Sequence, residues 1–481
     1  MLSKMIPKEV FNFFKEISSI PRESGNEKAI SVYLVSFGTM RGLEVKQDSA
    51  HNVVIYKQGS LGYEMHPSLI LQSHMDMVCE KHEHVLHDFK IDPITFRVEE
   101  DFLYANGTTL GADNGIGMAI SLAILDASNI AHPPLEVIFT SEEETTMNGM
   151  ATIDASWLTA RRMINLDSGN EKTFYVGCAG GGQLSFNIPL TKRAFSSGLE
   201  HCTLTVRNLV GGHSGVEIHL GRANSIRILG RVLDTLISEL EISIVDVYGG
   251  VKVNVIPREA SALIALPHSD VERAKQILSE LQETLRSEYK ISDPNIVLEL
   301  TLARQQFNEA FTTDCVQRLI AAILLLPYGV LHMSNDIPEL VETSSNIGVL
   351  KTTQDCVSFD CGLRSSLPSR LQSVLSQVNM LALTLGAKAT FSNEYPSWTH
   401  NLNSPLLSEA TALYCELYNE EASVKAVHAG LECGFMIKKI PDMDIISFCS
   451  QIYDAHTPNE HLSISSLYHV WKYIIALLKC L

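Results

Sequence analysis

Apolar positions along the chain follow two rhythms. Early on, short unbroken apolar runs end in polar residues: LILQ, from Leu69 to Gln72, leads into SHMDMV, LEVIFT, from Leu135 to Thr140, leads into SEEE, and MINL, from Met163 to Leu166, leads into Asp167. Runs this short, rich in aliphatic and β-branched side chains, read as strands buried on both faces. Between the first two lies DNGIGMAISLAILDASN, an Ala-, Ile- and Leu-rich stretch with Asp113 and Asn114 in capping position, which predicts a helix. Strands alternating with helices imply a mostly parallel sheet covered on both faces, whose ligand crevice lies beyond the carboxyl ends of the strands. The polar ends of these runs are therefore expected to gather.

After the Gly-rich stretch Gly177 to Gly182 the texture changes. Alternating strands such as CTLTV and EASALIAL interleave with amphipathic helices such as Ser269 to Tyr289, and the pattern continues through VSFDCGLRSS, a helix from Ser369 to Leu385 and the strand KATFSNEYP. The turn-rich WTHNLNSP then returns the chain to an α/β pattern. The expected organisation is a first domain over 1–184 and 396–481, interrupted by an inserted α+β domain over 185–395. Two similar runs of strand, strand and helix within the insert suggest an internal structural duplication.

Composition narrows the class. With 481 residues, 45% of them apolar and 19% charged, the chain has ample material for packed cores, so disorder is excluded as its main state. The net charge of −18 disfavours nucleic acid and anionic membrane surfaces as partners. The longest apolar run, Leu319 to Leu326, stops at Pro327, far short of the roughly 20 residues of a membrane helix. The N-terminal residues show no secretion signal, and ten scattered cysteines without CxxC pairs point to a reducing cytoplasm.

His74 and Asp76 sit two residues apart at a strand end and so share a face, where a carboxylate can orient a ligating imidazole. Taken singly, Asp113 reads as an N-cap and SEEE as a solvated acidic loop. Three adjacent carboxylates nevertheless repel one another unless protonated or met by cations. Asp167 ends an apolar run, and His456 sits in DAHTPNE after MDIISF. Two His, two Asp and one or two Glu at element ends of one sheet form the ligand set expected for two zinc ions sharing a carboxylate.

The patterns SHMDMV, GADNGIG, SEEETTMNG, NLDSG, GGHSGVEIHLGRAN, GGVKVNVIPREA, DCGLRSS, HAGLECG and DAHTPNE, in this order, resemble those of the M20 metallopeptidases, most of all their aminoacylhistidine dipeptidase branch. The resemblance implies an α/β fold, a two-zinc exopeptidase-like catalytic domain interrupted by a lid, and hydrolysis of unblocked dipeptides, Xaa-His included. It implies two Zn2+ per chain, with Co2+ or Mn2+ accepted by the same N/O ligands. Asp113 would bridge the metals, His74 and Asp167 would complete one site, and Glu144 with His456 the other. Glu143 would be the general base and Asp76 would pin His74. The register Glu143–Glu144 follows from Met147 and Gly149; a slip by one would assign these roles to Glu142 and Glu143.

On the lid, the resemblance implies that Arg364 reads a substrate carboxylate with its planar fork, that Asn254 adds a hydrogen bond, and that His213 stabilises the oxyanion. His428, Gly430 and Glu432 match a substrate-pocket loop, in which Gly430 lets the backbone approach a ligand. The roles of His219 and Arg222 stay open. In many members the matching His comes from a partner subunit, so a homodimer is one assembly allowed; a lid of double length could instead supply it within one chain.

The chain departs from the family at Gly169, where an acidic residue is common, and at Cys449-Ser450, where Gly-Pro is common. Cys449 reads as a bystander or as a site of oxidative or thiophilic inhibition. Two other functions compete with the dipeptidase: an amidohydrolase of N-acyl amino acids, since the same metal core cleaves any accessible amide, and a metal-binding scaffold without catalysis. GADNGIG lacks the GxGxxG spacing and a P-loop Lys, which argues against nucleotide binding.

Overall fold

The computed structural model describes residues 5–194, 198–401 and 403–481. The chain folds as two compact units. The first takes the chain up to Cys178, then Trp398–Ala426 and Leu431–Leu481; the second is Ala179–Ser397 with Val427–Gly430.

In the first unit, strand Leu69–His74 has all six residues buried and pairs in parallel with Leu135–Thr140 on one side and Arg162–Asn165 on the other. Asp444–Ser447 continues the parallel ladder beside Arg162–Asn165. Flanking these four strands the sheet turns antiparallel, through Val53–Lys57 and Glu44–Gln47 at one side and from Thr173–Cys178 at the other. Burial on both faces explains why the central runs are continuous rather than alternating in hydropathy. The helix Ala112–Asp126 is buried along almost its whole length. It packs in a core with the amphipathic helix Lys8–Ile17, which contributes Phe11 and Phe14, and with the C-terminal helix Ile464–Cys480.

A small antiparallel sheet of Phe96–Glu99, Phe102–Ala105, His461–Ser463 and Ile452–Tyr453 completes this unit. Its pairing of Ile452 with Leu462 and Tyr453 with His461 makes residues 454–460 a hairpin loop. His456 and Glu460 lie on that loop.

The second unit is built on one nine-stranded antiparallel sheet. Leu199–Arg207, helix Ser225–Glu239, Ser243–Gly249, Ala260–Pro267, helix Val271–Glu288 and Val297–Leu302 form a βαββαβ array, its last strand beside its first. Gly180–Pro189, helix Thr313–Leu325, Val341–Thr352, Cys356–Ser365, helix Pro368–Leu385 and Lys388–Tyr395 form a second array with the same strand order. This is the split βαβ arrangement, used twice. The two arrays join edge to edge where Tyr248 and Gly249 pair with Lys351 and Leu350. The first array is inserted between the opening strand and helix of the second, so the expected duplication is nested rather than tandem. No helix among the described residues is long and apolar enough to cross a membrane.

Candidate functional site

The carboxyl ends of the central strands bring the candidate ligands together. His74 closes strand Leu69–His74 and is 1% exposed. Its Nε2 lies 3.3 Å from Asp113 Oδ1 and 3.4 Å from Asp167 Oδ1, and its Nδ1 lies 3.4 Å from Asp76 Oδ1. His456, at a left-handed φ of 64° in its hairpin loop, holds Nε2 3.3 Å from Asp113 Oδ2 and 3.1 Å from Glu144 Oε2. The two oxygens of Asp113 thus face different histidines. Donor atoms of His74, Asp113 and Asp167 lie within 4.8 Å of one another, as do those of Asp113, Glu144 and His456, and those of His74, Glu143 and Glu144.

Glu143 and Glu144 turn inward, with side chains 11% and 6% exposed, whereas Glu142 turns to the Thr146 hydroxyl at 3.3 Å. Asp76 controls that register. Its carboxylate accepts the backbone N–H of Glu143 and of Glu144, each at 3.1 Å, and the Ser24 hydroxyl at 2.7 Å.

Electrostatics follow from the crowding. Burial raises the Glu143 carboxyl well above its usual range despite His74 nearby, and raises Asp167 to about 6. Burial also works against Asp113, yet hydrogen bonds to His456 and His74 keep its carboxyl far below the ordinary value. The same contacts to Asp113 and Glu144 push His456 up to about 11. Burial opposes charge on His74 too, but Asp167, Asp113 and Asp76 hold it well above a free imidazole. A half-enclosed set of N and O donors with excess negative charge suits divalent cations. Glu144 Oε1 is buried without a hydrogen-bond partner, which fits a vacant ligand atom.

Asp113 does not cap its helix. The helix Ala112–Asp126 has Gly111 at its cap position with no side-chain cap, and Asp113 and Asn114 leave helical geometry. A short Asp side chain cannot both cap the helix and face two imidazoles. The orphan amides are met instead by Glu460, whose carboxylate accepts the N–H groups of Leu110, Gly111, Ala112 and Asp113 at 2.8–3.2 Å. Asn114 turns inward and donates to Leu166 O at 2.6 Å and to Asp167 Oδ1.

Other supporting residues escaped the sequence reading, apart from Glu432, which was expected in a substrate-pocket loop and lies buried beneath the strand ends instead. Arg22, 2% exposed, donates to the carbonyls of Met75 and Asp76 at 3.1 and 2.9 Å and to that of Gly111. Glu432, fully buried and pushed up to about 8 by burial, accepts from Gln72 Nε2 at 2.6 Å and Thr140 Oγ1 at 2.7 Å. Gln72 is bonded in turn to Asn165, and Asn165 to Ser447. A polar row thereby crosses the parallel strands two residues before His74. Its signal in the sequence was Gln and Asn inside otherwise apolar runs. Cys449 is 1% exposed and burial pushes its thiol up to about 12, which disfavours the reactive thiolate. Gly169 adopts φ 59°, which favours glycine at that departure from the family.

The second unit gathers a basic group. Gly215 has no room for a side chain: a Cβ there would lie 2.6 Å from His428 O, 2.9 Å from the His213 ring and 3.2 Å from Arg364 Nε. His213 Nδ1 accepts the N–H groups of Gly215 and Val216 at 3.1 Å, which leaves the ring proton on Nε2 as a donor. Arg364 Nη1 donates to Tyr395 Oη at 2.8 Å, and His428 Nε2 lies 2.7 Å from Ser344 Oγ. Asn254 is exposed, with its carbonyl accepting Ser214 N–H at 2.9 Å. The segment carrying Gly430 is pinned by Ala179 N–H to Val427 O and Ala429 O, each at 3.1 Å. Arg222 pairs with Glu217 at 2.9 Å and with Gly211 O, bracing the turn before His213, while His219 is exposed.

Residues 70–479 match the family model described as Peptidase family M20/M25/M40. The chain is 37% identical over 478 residues to the cytosol non-specific dipeptidase of Escherichia coli K12, covering 99% of this chain and 98% of the relative. Among solved structures, aminoacylhistidine dipeptidase from Vibrio alginolyticus superposes with a TM-score of 0.88 at 36% identity, over 100% of this chain and 98% of that one. A tripeptidase from Staphylococcus aureus shares the fold at a TM-score of 0.56 and 16% identity, over 99% and 98% of the two chains. The chain belongs to peptidase family M20/M25/M40 and is a hydrolase.

Proposed function

We propose that the chain is a zinc-dependent dipeptidase of the cytoplasm that hydrolyses unblocked dipeptides of broad composition, Xaa-His among them. The observation that carries the reading is the Asp113 carboxylate, one oxygen toward His74 and the other toward His456. The names of the Escherichia coli and Vibrio relatives support the substrate class. His74, Asp113 and Asp167 would hold one cation, and Asp113, Glu144 and His456 the second. Two divalent cations, Zn2+ or in its stead Co2+ or Mn2+, supply Lewis-acid polarisation of the scissile carbonyl and acidify water toward neutral pH.

The remaining work falls to the chain's own residues. Glu143 takes the proton of the attacking water and returns it to the departing amine; its burial favours the protonated form that such a carrier must visit. The Asp76 carboxylate, 3.4 Å from His74 Nδ1, favours the proton on that nitrogen and so keeps Nε2 free to ligate. In the lid, His213 donates from Nε2 to the oxygen that gathers charge. Arg364 and Asn254 bind the free carboxylate of the substrate, and Gly430 lets the backbone approach it.

The test is hydrolysis of Ala-His, β-Ala-His, Gly-Gly-Gly and N-acetyl-Ala by metal-stripped protein before and after Zn2+ is added. Zinc-restored cleavage of the free dipeptides alone is expected. Activity confined to N-acetyl-Ala would move the chain to the N-acyl amino acid amidohydrolases, and silence across the panel would favour a scaffold.

A further inference from the structure

We infer that the segment PRESGNE, residues 21–27, and Arg22 above all, is a positioning brace that holds the metal centre in register before any cation binds. The inference rests on the two-cation reading of the site and deepens it. The segment lies ahead of residues 70–479, the part that matches the family model.

Five separate stretches of backbone carry the proposed ligands and base, and this one short segment ties to three of them, those of His74, Asp113 and the Glu143–Glu144 pair. Arg22 donates to Met75 O and Asp76 O, just after His74, and to Gly111 O, two residues before Asp113. Ser24 donates to Asp76 Oδ2 at 2.7 Å. Glu27 Oε1 accepts the N–H of Glu142 at 3.1 Å, next to Glu143 and Glu144, and that of Gly25 at 2.7 Å. The return bond, from Met77 N–H to Arg22 O at 3.1 Å, anchors the segment to the strand end.

The glycines of GADNGIG now have a physical purpose. A Cβ at Gly111 would lie 2.6 Å from Arg22 Nη2, and one at Gly115 2.7 Å from the same atom. Both positions are open so that a guanidinium can enter. Glu460 accepts the N–H groups of residues 110–113. The backbone leading into Asp113 is therefore held by an anion at its amides and a cation at the Gly111 carbonyl. A planar fork with donors fixed in direction can serve carbonyls on two segments at once, which a lysine ammonium on a flexible stem does poorly. Burial works against the Arg22 charge, and the Glu460 and Asp76 carboxylates favour it.

An arginine that merely fills the core would leave metal affinity untouched once the protein is folded; a brace would not. The full chain, Arg22→Lys and Ser24→Ala are compared for Zn2+ stoichiometry and affinity by competition with a chromogenic chelator, and for kcat and KM on Ala-His at saturating Zn2+. Arg22→Lys is expected to bind Zn2+ about 10- to 100-fold more weakly with KM unchanged at saturating metal, and Ser24→Ala to shift affinity less in the same direction. Parental affinity in both variants overturns the brace while leaving the site reading intact. A parent that binds no Zn2+ and cleaves nothing overturns the site reading itself. Should Arg22→Lys fail to fold, Ser24→Ala decides, because it removes one hydroxyl from a half-buried residue.

Discussion

Asp76 accepts the backbone N–H of Glu143 at 3.1 Å, so the residue that faces His74 Nδ1 also sets the backbone from which Glu143 projects. One carboxylate thereby couples the orientation of an imidazole to that of the proposed base. Asp76→Ala is expected to lower kcat/KM by more than tenfold and to weaken Zn2+ binding, read by steady-state kinetics and metal titration. It also orphans the amides of Glu143 and Glu144. Urea unfolding is expected to register a loss of about 1–3 kcal/mol for each buried donor left without a partner.

Glu143→Gln keeps the volume and loses the proposed proton carrier. Its kcat should fall by about 10²- to 10⁴-fold while KM and Zn2+ stoichiometry stay at parental values. Parental kcat in a folded, metal-loaded variant would remove Glu143 from the mechanism.

On the proposed two-cation reading, chelation exposes the carboxylates of Asp113, Glu143, Glu144 and Asp167 to one another, since they share one small volume with two imidazoles. Metal-free protein is expected to melt at a lower temperature, and Zn2+ at 100 times its dissociation constant to restore about 2.7 kcal/mol per site. Calorimetry with and without Zn2+ reads this directly.

His428 makes stability sensitive to acid. Burial, aided by Arg364, lowers its pKa from 6.5 to about 3. Between those values the unfolded chain binds a proton that the folded chain does not, so this contribution is complete above pH 6.5 and declines as the pH falls toward 3. His428→Gln removes the titration. The urea midpoint of the parent should therefore drop more between pH 7 and pH 4.5 than that of the variant.

Gly117 leaves no room at its α-carbon: a Cβ would lie 2.1 Å from Asn114 Oδ1 and 2.5 Å from Leu166 O. Gly117→Ala must displace Asn114, which donates to Asp167. Expected are a loss of about 1–3 kcal/mol in unfolding free energy and weaker metal binding, measured on the same preparation.

Some of this molecule could be read from neighbouring residues alone. Leu69–His74 and Leu135–Thr140 are apolar runs of strand length, and six-residue runs buried on both faces carry that signature without tertiary help. The same holds for the Ala-rich body of Ala112–Asp126, and for the βαββαβ texture that hinted at a duplicated insert. The start of that helix departs from the local capping pattern. Its cap comes from Glu460, which lies 347 residues from Asp113, and no local pattern reports an acceptor so far away.

The sequence by itself determined which side chains with ligand chemistry stand at the ends of buried elements, because strand and helix boundaries depend on a few adjacent residues. Only the tertiary structure decided that His74 and His456 face opposite oxygens of Asp113, since that depends on the ladder aligning His74 with Thr140 and on the hairpin pairing of Tyr453 with His461. It alone decided that Arg22 enters the space left by Gly111 and Gly115. Burying a charged fork is tolerable only where carbonyls and counter-charges from distant segments converge, and convergence is a property of the packed chain, not of any stretch of it.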